Sequence, residues 1–189
     1  VKSPLLKKSK ETKVRMFVHL KTKTIYSLLE GAIFADALAD QCCKFKMPAV
    51  GIADRANLFG ALEFSEVLSD NGIQPIIGCQ LPMSFKEADI KKLRATDRIS
   101  MLFLAKNETG YRNLMELSSK FFLNDTYRFE GISIQEIDKF SDGLICLSGG
   151  DDSPINNLMK DNKIKEAENL SLHFKRTFGD RFYLEMNRQ

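Results

Sequence analysis

The chain has 189 residues, 43% of them hydrophobic and 28% charged, with a formal net charge of +3. That length suits one domain with a substantial core. No apolar run approaches the roughly 18–20 residues that span a bilayer, and no apolar signal core opens the chain, so a cytoplasmic protein without a membrane partner is expected. The four cysteines (Cys42, Cys43, Cys79, Cys146) form no C-x-x-C pair and read as reduced thiols. Charge is unevenly placed. Residues 1–23 hold eight Lys/Arg against Glu11 alone, which leaves 20 basic and 24 acidic residues in a mildly acidic body. Residues 1–15 therefore read as a basic, flexible leader. A basic arm of this kind can touch nucleic-acid phosphates, or it can simply be solvated.

From Met16 onward, short apolar runs alternate with helical patterns. Met16–Leu20 predicts a strand. Leu29–Phe45 predicts a helix with Ile33, Ala37, Leu38 and Cys42 on one face, ended by Met47-Pro48. A buried strand at Ala49–Ala53, a helix at Leu58–Leu68, the turn Asp70-Asn71-Gly72 and a strand at Pro75–Cys79 follow. Ser84–Arg98 is polar and predicts an irregular excursion. Ile99–Ala105 predicts a strand, and Thr109–Phe122 a helix with Leu114, Leu117 and Phe121 inward. A strand at Leu144–Leu147 stops at Ser148-Gly149-Gly150. A helix at Ile164–Phe178 and a strand at Phe182–Met186 close the series. This alternation indicates an α/β fold with mostly parallel strands. Polar residues cluster at or just after strand ends: Lys21, Lys23, Asp54, Arg55, Gln80 and Gly150. In barrel-like α/β folds the functional face lies at those ends.

Five blocks carry a resemblance: Phe17–Gly31; Met47–Gly60, with Gly51-Ile52-Ala53-Asp54-Arg55 at its centre; Gly72–Leu81; Ala105–Leu114; and Gly143–Gly150. In this order and spacing they resemble the polymerase and histidinol phosphatase (PHP) domain that begins the alpha subunit of bacterial DNA polymerase III, over about Met16 to Glu185. The resemblance implies a distorted (β/α)7 barrel, here incomplete and expected to stop before its last strands. It also implies nine ligands around the barrel mouth that hold up to three metals in active members. Such metals generate hydroxide and polarise phosphoryl oxygens.

Carried onto this chain, the ligand positions are poorly filled. Lys21 and Lys23 stand where active members have histidines, and Arg55 and Ser100 stand where they have two more. Gln80 replaces a glutamate, and Gly150 (or Asp151) a cysteine. Glu30 keeps its carboxylate, and Asp54 resembles the aspartate of the family's Asp-His pair. An ammonium or guanidinium has donors and no lone pair to offer. The resemblance then implies a metal-free, structural domain with no catalytic residue and no cofactor of its own. It implies partners in the proofreading exonuclease subunit and the rest of the polymerase III holoenzyme. DNA and Mg belong to the polymerase domain of the parent chain, a DNA-directed DNA polymerase (nucleotidyltransferase) of DNA replication. A working metal-dependent phosphoesterase or 3′–5′ exonuclease is the alternative.

Three readings of Lys21 and Lys23 remain open at this point: phosphate binding, replacement of lost cations by pairing with Glu30 and Asp54, and a pair of surface lysines. Asp54 is expected to hydrogen-bond the loop at Ala56-Asn57. His19 and His173 read as packing residues, Gly149-Gly150 as a tight turn, and Cys79 and Cys146 as core. Phe17, Phe103, Phe121, Phe178 and Phe182 also read as core.

Overall fold

A computed structural model describes residues 17–85, 99–150 and 153–186. The basic leader, Asp151 and most of the 84–98 excursion lie outside the described residues. The elements in chain order are α1 (Ala35–Lys44), β1 (Ala49–Arg55), α2 (Ala61–Asp70), β2 (Gln74–Ser84), β3 (Ser100–Ala105), α3 (Glu108–Leu123) and α4 (Asp125–Glu130). They continue with β4 (Ile132–Ser133), α5 (Ile134–Lys139), β5 (Leu144–Leu147), α6 (Pro154–Lys160), α7 (Ile164–Phe178) and β6 (Phe182–Tyr183).

The strands form one open, six-stranded sheet in the order β1-β2-β3-β5-β6, with β4 beside β2. β1–β2, β2–β4 and β5–β6 pair parallel, while β3 is antiparallel to β2 and to β5. Five strands thus share one direction, as a mostly parallel α/β sheet requires, and β3 opposes them. The reversal has a positional consequence. Ser100, the first residue of β3, falls at the same end of the sheet as Arg55, the last residue of β1.

The strands are buried on both faces, which is why they read as nearly continuous apolar runs rather than alternating ones. Cys79, Leu81, Met101, Phe103 and Cys146 pack with Leu114 and Leu117 of α3 and Phe174 and Phe178 of α7. Val50 and Ile52 pack with Leu38, Phe64 and Leu68 of α1 and α2. On the other face Ala53, Leu102, Leu104 and Leu147 form a smaller apolar layer. Burial pushes the thiols of Cys79 and Cys146 up, as expected for core cysteines.

Two sequence blocks meet at the foot of α3. Asn107 caps the helix by accepting from the Gly110 amide at 3.0 Å, and Gly143 accepts from the Lys106 amide at 2.9 Å. A Cβ on Gly110 would lie 2.5 Å from the carbonyl carbon of Gly143, so only glycine permits this contact.

Several expectations shift. Residues 17–20 form no strand. The pairing falls later, as isolated bridges Thr22–Ile52 and Thr24–Ile33, and Phe17 is exposed rather than core. The helix predicted from Leu29 begins only at Ala35, because residues 25–30 turn, and Ala37 faces solvent. The last strand is two residues long. The short helices α4, α5 and α6 carry too few turns to show a period, but Asn124, Ser133 and Ser153 cap each of them.

Candidate functional site

The polar positions singled out in the sequence converge at one end of the sheet. Asp54 and Arg55 close β1, and Arg55 is in register with Gln80 of β2. Gln80 donates to Ser100 Oγ at 2.7 Å, and both residues are fully buried. Gly149, just past β5, packs so closely that a Cβ would lie 2.8 Å from the Ser100 carbonyl oxygen. Lys21 Nζ donates to the Gly149 carbonyl at 3.2 Å. The Gly150 carbonyl accepts from the Ser153 amide at 3.1 Å and from Asn156 Nδ2 at 2.7 Å, which ties the end of β5 to the start of α6.

The two lysines take different partners. Lys23 pairs with Glu30 Oε2 at 2.5 Å, and Arg55 reaches Glu30 Oε1 at 3.7 Å. Lys21 lies 3.4 Å from Glu185 Oε1. Among these pairings Glu185 is the residue that sequence reasoning missed. It follows the short strand β6, whereas the sequence places it inside a strand expected to run to Met186, so no strand-end signal marked it.

Asp54 takes no lysine, contrary to one expectation. It accepts from the Thr24 amide and the Thr24 hydroxyl, each at 2.7 Å, and from the Ser27 hydroxyl at 2.6 Å. Nor does it bind the loop at Ala56-Asn57. There Asn57 does the work itself, donating to the Tyr26 and Arg55 carbonyls and accepting from the Phe59 amide. The physical reason is burial. Asp54 is 4% exposed, and the short side chains and backbone of residues 24–27 satisfy it without taking an ammonium out of water.

This donor set does not fit a multinuclear metal centre. Lys21, Lys23 and Arg55 offer no lone pair. Both Glu30 oxygens face cations, and the Asp54 oxygens already receive three donors. Gln80 Oε1 and Glu185 Oε2 are buried acceptors with no hydrogen-bond partner among the described residues, but an amide oxygen and one carboxylate oxygen fall short of the four ligands a zinc site uses. Among the described residues, no three His, Cys, Asp or Glu side chains come together in a group that could hold a metal.

The histidines lie elsewhere. His19 is exposed, with its ring edge-on to Phe17 at 4.7 Å. His173 pairs with Asp138 at 3.1 Å and ties α7 to α5. No helix among the described residues is long and apolar enough to cross a membrane.

Comparison with known proteins places these features in a family. The PHP domain model matches residues 19–189. The chain is 45% identical over 173 residues to the DNA polymerase III subunit alpha of Caulobacter vibrioides, covering 91% of this chain and 15% of that protein. It is 37% identical over 174 residues to the corresponding subunit of Borreliella burgdorferi, again with 91% and 15% coverage. It therefore spans about 15% of the length of these curated relatives. A solved metal-dependent phosphoesterase from Bifidobacterium adolescentis matches 56% of this chain and 33% of its own at 16% identity, with a TM-score of 0.40, a likeness too slight to locate a site.

Proposed function

The chain belongs to the PHP domain family, and from that premise we propose that it is the PHP domain of a DNA polymerase III alpha subunit, metal-free and architectural, in a parent chain that synthesises DNA during replication. Polymerisation, with its Mg, its nucleotides and its hold on DNA, belongs to the rest of that parent chain. This domain supports the polymerase body and docks the proofreading exonuclease subunit. By itself it neither polymerises nor hydrolyses nucleic acid.

The carrying observation is the Lys23–Glu30–Arg55 cluster. Two cationic side chains stand on a carboxylate where metals would otherwise supply the positive charge. In a partly buried site such a cluster satisfies the acid without an ion. Asp54, occupied by Thr24 and Ser27, supports the same reading, because its oxygens organise the loop at 24–27 instead of facing a vacancy.

The test is elemental analysis of the purified protein for manganese, zinc and iron, together with an assay of phosphodiester hydrolysis. The reading predicts metal well below one equivalent and no hydrolysis above a protein-free blank. Stoichiometric metal with metal-dependent hydrolysis would replace it with an active phosphoesterase. Docking is tested separately, by binding of the exonuclease subunit to this chain.

A further inference from the structure

Residues 19–24 run alongside the β1 edge and meet it through the isolated bridge Thr22–Ile52. The Thr22 amide donates to the Gly51 carbonyl at 3.1 Å, and Thr22 O accepts from the Ala53 amide at 2.8 Å. A Cβ on Gly51 would lie 2.7 Å from the Leu20 carbonyl oxygen, so the approach depends on glycine. β6 lies at the opposite edge of the same sheet. If the sheet were flat, the 19–24 segment and β6 would be five strand spacings apart, about 24 Å. Yet Lys21 touches both Gly149, just past β5, and Glu185, just past β6. The sheet is curled until its two edges face each other, and a single four-carbon side chain spans the gap.

We propose that Lys21 is a brace that holds the two edges of this open sheet together at the mouth, with Glu185 and the Gly149 carbonyl as its anchors. Glu185 is placed for this. Its amide donates to Ser148 Oγ at 2.9 Å, and the Ser148 amide donates to the Tyr183 carbonyl at 3.0 Å, so the carboxylate is fixed to the β5–β6 pair. Its Oε2 is buried and takes no hydrogen bond from the described residues, and its side chain is 13% exposed. The carboxylate thus leans on the Lys21 ammonium, and losing that ammonium leaves a largely buried charge unpaired. Among the described residues no backbone hydrogen bond joins the 19–24 segment to β6, so removing the brace loosens β6 and the residues after β5 while β1–β2–β3 stay paired. The proposal rests on the charge-compensated reading of the mouth.

Hydrogen exchange read by mass spectrometry tests it. In Lys21→Met, peptides carrying the Ser148 and Glu185 amides should exchange about tenfold faster, with no change in peptides from β2 and β3. Glu185→Gln removes the ion pair but leaves the Gly149 anchor, so it should speed the same peptides by less, and the double variant should be no faster than Lys21→Met alone, because that variant has already lost the Glu185 contact. Unchanged exchange in Lys21→Met, or single effects that multiply in the double variant, would overturn the brace. Should Lys21→Met not fold, Glu185→Gln against the unaltered protein carries the test, with the same two outcomes. Metal content measured on the same samples separates the two ideas: unchanged exchange with no metal sinks the brace alone, whereas stoichiometric metal sinks the reading beneath it.

Discussion

The Ser27 hydroxyl donates to Asp54 Oδ1 at 2.6 Å, and the same hydroxyl accepts the Arg55 amide at 3.1 Å. One serine therefore ties the loop after residue 24 to the end of β1 from both sides. The network is buried and charged, so its loss is costly. Asp54→Ala strands the Thr24 amide and two hydroxyls, and is expected to cost about 3–5 kcal/mol in urea unfolding. Asp54→Asn is expected to cost clearly less. Its amide oxygen can still accept from the Thr24 amide, and its NH2 can donate to the Thr24 hydroxyl. Equal losses for the two variants would show that charge, not geometry, holds the loop.

A second network sets a pH dependence. Glu136 on α5 pairs with Lys139 at 2.6 Å and with Lys120 of α3 at 3.3 Å. The hydrogen bond from Lys139 holds the Glu136 carboxyl below its ordinary value of 4.5; burial opposes this, and Lys120 reinforces it. A carboxyl lowered on folding contributes stability that is fully present above its unfolded value and is lost as pH falls through the folded one. Melting temperature should therefore fall below about pH 4.5, and Glu136→Gln should flatten that part of the profile while lowering stability at pH 7. An unchanged acid limb in the variant would remove Glu136 from the account.

The α3 foot offers a steric test. Gly110→Ala pushes a methyl into the Gly143 carbonyl group. Backbone rather than a flexible side chain must then yield, so a cost of about 2–4 kcal/mol is expected in chemical unfolding. A neutral Gly110→Ala would mean that the two segments separate easily.

Much of the fold was legible because its signals are local or repeated. The α7 helix runs over Ile164–Phe178 as its apolar spacing predicts, and β1, β3 and β5 announce themselves as short buried runs, whereas β2 continues to Ser84, past the Cys79 at which the sequence ends it. The direction of β3 was not legible, since an apolar run has no polarity and pairing partners are set by the whole sheet. Nor was the turn at residues 25–30. Tertiary bonds from Asp54 and Asn57 hold it against the helical propensity of Leu28-Leu29-Glu30. Among the site residues, the pocket positions followed from the resemblance to the PHP domain. The exchange of partners was not. That Lys21 turns to Glu185, 164 positions away, and leaves Asp54 to Thr24 and Ser27 depends on the curl of the sheet.

Leu29 shows the strain of that turn. It is left-handed, with φ 64°, and 96% exposed, so its side chain gains nothing from burial. A left-handed leucine costs about 1–2 kcal/mol, and glycine's extra freedom in the unfolded chain cancels part of the relief from replacing it. Leu29→Gly should leave stability unchanged or raise it by up to about 1 kcal/mol. A clear loss in thermal unfolding would mean that the leucine is packed in solution.

The central claim is that the mouth draws its positive charge from Lys21, Lys23 and Arg55 instead of from metal ions. Diffraction at the manganese absorption edge from a crystal soaked in manganese addresses it most directly. The account predicts no anomalous peak between Lys23, Glu30 and Asp54, with both lysines still on their carboxylates. A fully occupied ion there, bound by several protein oxygens and with the lysines displaced, would contradict it.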